Sequence, residues 1–113
     1  MKVKDLVSKH NFKELSIPDT NRTLRGCYIG DLLSWVMGNA QADDCWITIM
    51  SNVNIVAVAA LVDVACIVLA EGVEVDENIR QTAFDKGINI LSTDKTAYEI
   101  ALLLGASSLG DMS

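Results

Sequence analysis

Short polar and small residues stand at three places where apolar runs end, and these residues are suited to hold a small ligand. They are Ser51, Asn52 and Asn54 after the first run, Glu71 and Gly72 after the second, and Ser92 and Thr93 after the third. Serine, asparagine and glycine amides in such places hold a phosphate or a carboxylate without any charged side chain. Glu71 disfavours an anion but could accept a hydrogen bond from a ribose hydroxyl or an amine. The pattern predicts a ligand site, and the alternative is that these residues only cap helices.

The sequence lacks the usual apparatus of catalysis. It contains neither G-x-G-x-x-G nor G-x-x-x-x-G-K-[ST], so a kinase or a dehydrogenase would have no phosphate loop. A serine nucleophile needs a general base, and the single histidine, His10, is remote in sequence from Ser51 and Ser92. His10 also has no partner at metal-ligand spacing. We therefore expect no enzymatic activity, no cofactor and no metal.

Three cysteines are spread along the chain without a C-x-x-C pair: Cys27, Cys45 and Cys66. Two of them lie in apolar runs, which predicts reduced, buried thiols that act as small hydrophobic residues. The odd count and the lack of a signal peptide favour a reducing, cytoplasmic location.

The charge balance excludes some classes of partner. The formal net charge is −6 at pH 7, and nucleic acids and anionic lipids bind to clustered Lys and Arg. Arg22 and Arg25 form the one cationic spot in a polar loop, either as an anion clamp or as a solvated turn. Residues 53–70 are nearly all apolar, but a carboxylate such as Asp63 would cost about 2.5–3.5 kcal/mol at the middle of a membrane span. No membrane segment is predicted.

Strand-like and helical runs alternate in the second half of the chain. Strands are predicted at residues 45–50, 64–69 and 88–91, and helices at residues 55–62, 76–86 and 96–104. Each strand is apolar throughout and each connection is helical, which is typical of a parallel sheet with right-handed crossovers. Asp94, with Ser92 and Thr93, is expected to cap the last helix, and residues 105–113 resemble a frayed tail.

The first half of the chain has weaker signals. A helix is predicted over residues 1–9 and strands over residues 12–17 and 27–29. A further helix is predicted over residues 32–37, with Asp31 as its cap and Gly38 at its end. With 113 residues, the chain fits a single domain, residues 1–113.

The predicted helix at residues 55–62 is apolar on every side and must be covered all round. A chain this short would leave one face open, so we expect a homodimer whose interface includes this helix. Trp35, Met37 and Trp46 are candidates for the same patch, or for the core.

Three segments of the chain together resemble a DRTGG domain: GCYIGDLLSWVMGNA (26–40), DCWITIMSNVNIVAVAALVDVACIVLAEG (44–72) and INILSTDKTAYEIALLL (88–104). The resemblance is closest to the small stand-alone bacterial members. It implies a three-layer α/β sandwich around a mainly parallel sheet, similar to MurF and to the N-terminal domain of HPr kinase/phosphorylase. It also implies an association with regulated enzymes, because such domains occur in CBS-containing pyrophosphatases and in long phosphotransacetylases.

The residues that name the family are only partly present. Ser51-Asn52 stands where the family has Asp-Arg, and Ala70-Glu71-Gly72 stands where it has Thr-Gly-Gly. The sequence thus favours a non-catalytic regulatory module that senses a small anionic metabolite or a nucleotide. One alternative is a docking or structural subunit of a metabolic or redox enzyme complex. The other is a phosphotransfer enzyme related to HPr kinase.

Overall fold

The computed structural model describes residues 1–106. In chain order its elements are α1 (Val3–His10), β1 (Lys13–Ser16), β2 (Gly26–Ile29), α2 (Leu33–Asn39), β3 (Asp44–Thr48), α3 (Asn54–Val62), β4 (Cys66–Leu69), α4 (Glu77–Asp85), β5 (Ile90–Ser92) and α5 (Ala97–Gly105). Every helix and strand predicted from the sequence is present, with ends that differ by at most two residues. Of the expected tail, Gly105 is the last residue of α5, and residues 107–113 lie outside the described residues.

The five strands form one sheet in the order β1-β5-β4-β3-β2. β2, β3, β4 and β5 run parallel, and β1 runs antiparallel to β5. The prediction of a parallel core in the second half of the chain is confirmed. The two strands of the first half, whose sequence signals are weak, lie at the two edges of the sheet. An edge strand has only one neighbouring strand, so it needs a less strongly apolar sequence.

Helices cover both faces of the sheet, so the chain is a three-layer α/β sandwich. On one face, α2, α3 and α4 pack against the side of the sheet that carries Trp46 and Ile67. On the other face, α1 and α5 pack against the side that carries Ile47 and Val68. Trp46 is fully buried and its Nε1 donates to the Gly30 carbonyl at 2.9 Å, which places this tryptophan in the core. The likeness to MurF and HPr kinase stays a prediction.

Two predicted helix caps are wrong. Asp31 does not cap α2, because its Oδ1 instead accepts from Thr48 Oγ1 at 2.7 Å and from the Ile49 amide at 3.0 Å. The cap of α5 is Thr96, which exchanges hydrogen bonds with Glu99 in a capping box, and not the Ser92 to Asp94 segment. Helix α2 is thus left without a side-chain cap because Asp31 has partners at the end of β3, whereas α5 is capped by the reciprocal pair of Thr96 and Glu99.

Helix α3 buries only one of its apolar faces. Ile55, Val56 and Ala59 point into the core. Ala57, Ala60 and Leu61 are exposed, with 71% of Leu61 accessible. The face that carries Ala57, Ala60 and Leu61 is therefore the one left uncovered within the described residues. No helix among residues 1–106 is both long enough and apolar enough to cross a membrane.

Candidate functional site

A cavity of about 450 Å³ opens at the carboxyl ends of β4 and β5. The loop that follows β4 contributes Gly72 and Glu74, and the end of β5 with its following loop contributes Ser92, Thr93, Asp94 and Lys95. The opposite wall is formed by the end of α1 and the start of β1, through His10, Asn11 and Lys13. Ligands of parallel sheets commonly bind at this end of the strands.

Backbone hydrogen bonds hold the two loops of the cavity together. The Gly72 amide donates to the Thr93 carbonyl at 2.9 Å, and the Glu71 amide donates to the Lys95 carbonyl at 2.9 Å. Gly72 has φ of +75°, and a Cβ there would lie 3.1 Å from Asp94 Oδ1, so glycine allows the close approach of the loops. Because the Glu71 and Gly72 amides are already bonded, neither is available to an anion, and the charged side chains of the lining are the better candidates. The sequence pattern predicts that role for the amides.

The charged groups around the cavity are of both signs. Lys13 Nζ donates to both carboxylate oxygens of Glu74, at 2.9 and 3.1 Å, in an exposed ion pair. Within the part of the chain that the structure describes, Lys95 makes no ion pair. Lys13, Lys95 and His10 are therefore the groups that could bind a phosphate or a carboxylate, with Glu74 as a competitor for Lys13 and Asp94 as a second carboxylate in the lining.

A second, smaller cavity of about 90 Å³ lies at the carboxyl ends of β2, β3 and β4. Asp31, Thr48 and Glu71 line it together with apolar residues such as Ile29 and Ile49. Pockets that bind drug-sized molecules have volumes of about 300–1,000 Å³, so this crevice is too small for a nucleotide. The larger cavity is the better candidate.

The structure brings together only part of the predicted site. Gly72, Ser92 and Thr93 line the larger cavity, and Glu71 lines the smaller one. Ser51, Asn52 and Asn54 line neither of these two cavities. Asn52 Oδ1 accepts from the Asn54 amide at 2.9 Å, as in the helix-capping alternative. The ligand role of all seven residues stays a prediction.

Sequence reasoning missed the opposite wall of the cavity. His10, Asn11 and Lys13 are about 60 or more residues away from the loops they face, and only the antiparallel pairing of Lys13 with Ser92 brings them there. No local pattern in the sequence predicts which strand lies beside β5. The pairing of Lys13 with Glu74 follows from the same topology.

Glu71 has a backbone conformation that is unfavourable for a residue with a side chain. Its φ is +58°, and its carboxylate makes no hydrogen bond or ion pair in the described part of the chain. We expect Glu71→Gly to raise the free energy of unfolding by about 0.5–1 kcal/mol, because glycine removes the left-handed strain of about 1–2 kcal/mol and adds a smaller entropy cost.

Urea denaturation of wild type, Glu71→Gly and Glu71→Ala tests this expectation. Glu71→Ala is the matched control, since alanine loses the carboxylate but keeps the strain. Equal stability of the two variants would contradict the argument and would assign any gain to the loss of charge.

The cationic loop is engaged with carboxylates. Arg22 binds Asp43 at 2.9 Å and Asp63 at 2.8 Å, and it also donates to the Asp63 carbonyl. Arg25 binds the buried carboxylate of Asp44 at 3.1 Å. These pairs tie the loop to the start of β3 and the end of α3. Neither arginine lines the larger cavity.

The three cysteines lie in one row across β2, β3 and β4. Cys27 is in register with Cys45, and Cys45 with Cys66. Partial desolvation of its sulfur and then the Cys45 thiol raise the pKa of Cys27 to about 12, while a hydrogen bond with Cys66 and burial raise the pKa of Cys45. Raised pKa values leave little thiolate at neutral pH, so these two thiols are poor nucleophiles. Cys45 and Cys66 are buried as predicted, whereas Cys27 is exposed on the edge strand.

Comparisons with known proteins agree with the resemblance seen in the sequence. A family model described as "DRTGG domain" matches residues 20–107. No curated protein is significantly similar to the chain. One similar solved structure is that of the CBS and DRTGG domains of the regulatory region of Clostridium perfringens pyrophosphatase, complexed with the activator diadenosine tetraphosphate. It has a TM-score of 0.70 at 11% identity, with 90% of this chain covered. This chain spans 45% of the length of that one.

Proposed function

The chain belongs to the DRTGG domain family, and on that premise we propose that it is a non-catalytic regulatory module that senses a small anionic metabolite or a nucleotide. The observation that carries the proposal is the cavity of about 450 Å³ at the carboxyl ends of β4 and β5. Its volume is in the range of small-molecule sites, and it contains cationic side chains beside hydroxyl groups. The regulatory region of a pyrophosphatase with a similar fold binds a nucleotide activator, which supports the choice of ligand class.

The side chains of the cavity suggest how an anion would be held. The ammonium of Lys95 makes no ion pair within residues 1–106 and would bind a phosphate or carboxylate directly. Lys13 would join it if the ligand displaces Glu74. Thr93 and Ser92 supply hydroxyl groups at the same wall. His10 lines the same cavity as Ser92 and Thr93, but within residues 1–106 it makes no hydrogen bond to either hydroxyl, which supports binding without subsequent chemistry.

Thermal-shift measurements with ATP, AMP, diadenosine tetraphosphate, acetyl phosphate and pyrophosphate test the proposal. A ligand at one hundred times its Kd adds about 2.7 kcal/mol, which raises the Tm of a domain of this size by on the order of 10 °C. We expect such a shift with at least one of these compounds, and no shift with the same compound in Gly72→Glu, whose new side chain would fill the cavity. A shift that persists in this variant would place the site elsewhere, and no shift with any compound would contradict the sensing role.

The second candidate is a docking subunit of a metabolic or redox enzyme complex in the cytoplasm. The observation that favours it is the number of large apolar side chains exposed on the surface, among them Ile29, Leu32, Trp35 and Leu61. We propose that the chain, as a single domain over residues 1–113, forms a homodimer that covers part of this surface. Sensing and docking are compatible, because a ligand cavity and an apolar surface lie on different parts of the molecule.

A further inference from the structure

The two edges of the sheet differ in their protection against further strand pairing. The β1 edge carries two charged residues, Lys13 and Glu14, and an irregular register after Glu14. Arg80 of α4 donates from Nε to the Leu15 carbonyl at 3.1 Å, so a side chain already covers this edge. Charges, bulges and covering side chains are the devices by which proteins block edge strands.

The β2 edge has none of these devices. Its four residues, Gly26 to Ile29, are uncharged, contain no proline and pair in continuous register with β3. Because β2 is the outermost strand, its outer backbone groups face no other strand within residues 1–106. Such an edge is a template for another strand.

Large apolar side chains are exposed beside this same edge. Ile29, at the end of β2, is 50% exposed, Leu32 is 59% exposed and Trp35 is 62% exposed. Met37, further along α2, is 46% exposed. By contrast, the exposed stripe of α3 consists of two alanines, Leu61 and the N-cap residue Val53, which is 51% exposed. The surface at β2 and α2 therefore carries more large exposed apolar side chains than α3, where the sequence suggested the interface, or α5, where Tyr98 and Leu102 are exposed.

We infer that β2 pairs antiparallel with β2 of a second copy of the chain, so that the two sheets join across a two-fold axis with α2 of each copy beside the junction. This inference rests on the proposed homodimer and is independent of the proposed ligand. Antiparallel pairing of identical strands is the arrangement that a two-fold axis imposes, and an isologous contact closes on itself without further growth.

The charges at the ends of β2 favour a second copy over another partner. Arg25 stands just before the strand and Asp31 stands two residues after it. In the antiparallel register that pairs Tyr28 with Tyr28, each Arg25 lies opposite an Asp31 of the other copy. Arg25 binds Asp44 and Asp31 binds Thr48 within one chain, but both residues are exposed, so their charges still attract across the junction. Since the strand itself has no charge, pairing it with its own copy opposes no like charges.

Sedimentation of the full chain, at micromolar concentration, tests the inference with three single variants. Ile29→Lys and Trp35→Lys place a charge in the proposed interface, and Leu61→Lys is the matched control on α3. We expect wild type and Leu61→Lys to sediment at twice 12.2 kDa, and the other two variants at 12.2 kDa. Far-UV circular dichroism establishes that each variant is folded.

Hydrogen exchange provides a second measurement that does not depend on a substitution. In wild type, peptides that contain residues 26–30 should gain protection as the protein concentration rises, and peptides of α3 should not. A dimer that Leu61→Lys dissociates while Ile29→Lys does not would overturn the β2 interface in favour of α3. A wild-type monomer would overturn both the interface and the proposed homodimer, and would leave the ligand proposal standing.

Discussion

Replacing Asn89 by alanine is expected to lower the free energy of unfolding by about 3 kcal/mol, because one buried amide satisfies three backbone groups. Asn89 is 2% exposed and lies just before β5. Its Nδ2 donates to the Ala65 carbonyl at 2.9 Å and to the Asp19 carbonyl at 2.8 Å. Its Oδ1 accepts from the Asp19 amide at 2.9 Å. The residue thus ties the loop between β1 and β2 to the centre of the sheet.

The backbone groups that lose a hydrogen bond to Asn89 differ in the free-energy cost of that loss. Asp19 is exposed, so water can replace the amide at both of its backbone groups. Ala65 is 1% exposed and its carbonyl would lose a buried bond, at a cost of about 1–3 kcal/mol. The cavity left by the side chain adds to that cost.

Urea denaturation measures this effect, with Asn78→Ala on the exposed surface of α4 as a control that should change stability by about 0.5 kcal/mol or less. Asn89→Asp is a sharper variant. It keeps the shape of the side chain but directs a carboxylate oxygen at two carbonyl groups, so it should destabilise at least as much as alanine. If Asn89→Ala cost less than about 1 kcal/mol, the three bonds would not be the reason for the burial.

The sequence predicted the elements whose signals are local. The alternation from β3 to β5 is encoded in apolar runs of strand length, and the packing of residues such as Ile47 and Ile67 follows from it. Asn89 shows the limit of such reasoning. It stands between two isoleucines in a run that reads as a buried strand, and nothing in the run reveals that its partners are 24 and 70 residues away.

The cavity was only half predictable for the same reason. Gly72, Ser92 and Thr93 follow apolar runs and could be found from the rule that parallel strands end at one edge. Lys13 lies on the one antiparallel strand, to which that rule does not apply. The rule also placed Asn52 at the same edge of the sheet. It could not predict which loops approach one another, because that approach depends on hydrogen bonds such as the one from the Gly72 amide to the Thr93 carbonyl.

Two charge changes in the larger cavity should alter the affinity for a phosphate-containing ligand in opposite directions. Lys95→Glu removes the ammonium that is free of ion pairs within residues 1–106 and adds a like charge, so we expect ATP or pyrophosphate to bind about 10- to 100-fold more weakly. This range corresponds to the loss of a hydrogen bond to a charged group, about 1.5–3 kcal/mol. Isothermal titration calorimetry measures the Kd.

Glu74→Gln should strengthen the binding of the same compound by several-fold, because Glu74 holds Lys13 through both carboxylate oxygens in the free protein. An amide cannot form that ion pair, so Lys13 becomes available to the ligand and the repulsion from one carboxylate disappears. The control is Lys86→Glu at the end of α4. It carries the same charge change as Lys95→Glu, but Lys86 does not line the cavity. We expect it to leave the Kd unchanged, apart from a long-range repulsion that salt screens. Equal effects of Lys95→Glu and Lys86→Glu would show that net charge alone governs binding, and the cavity would then not be the site.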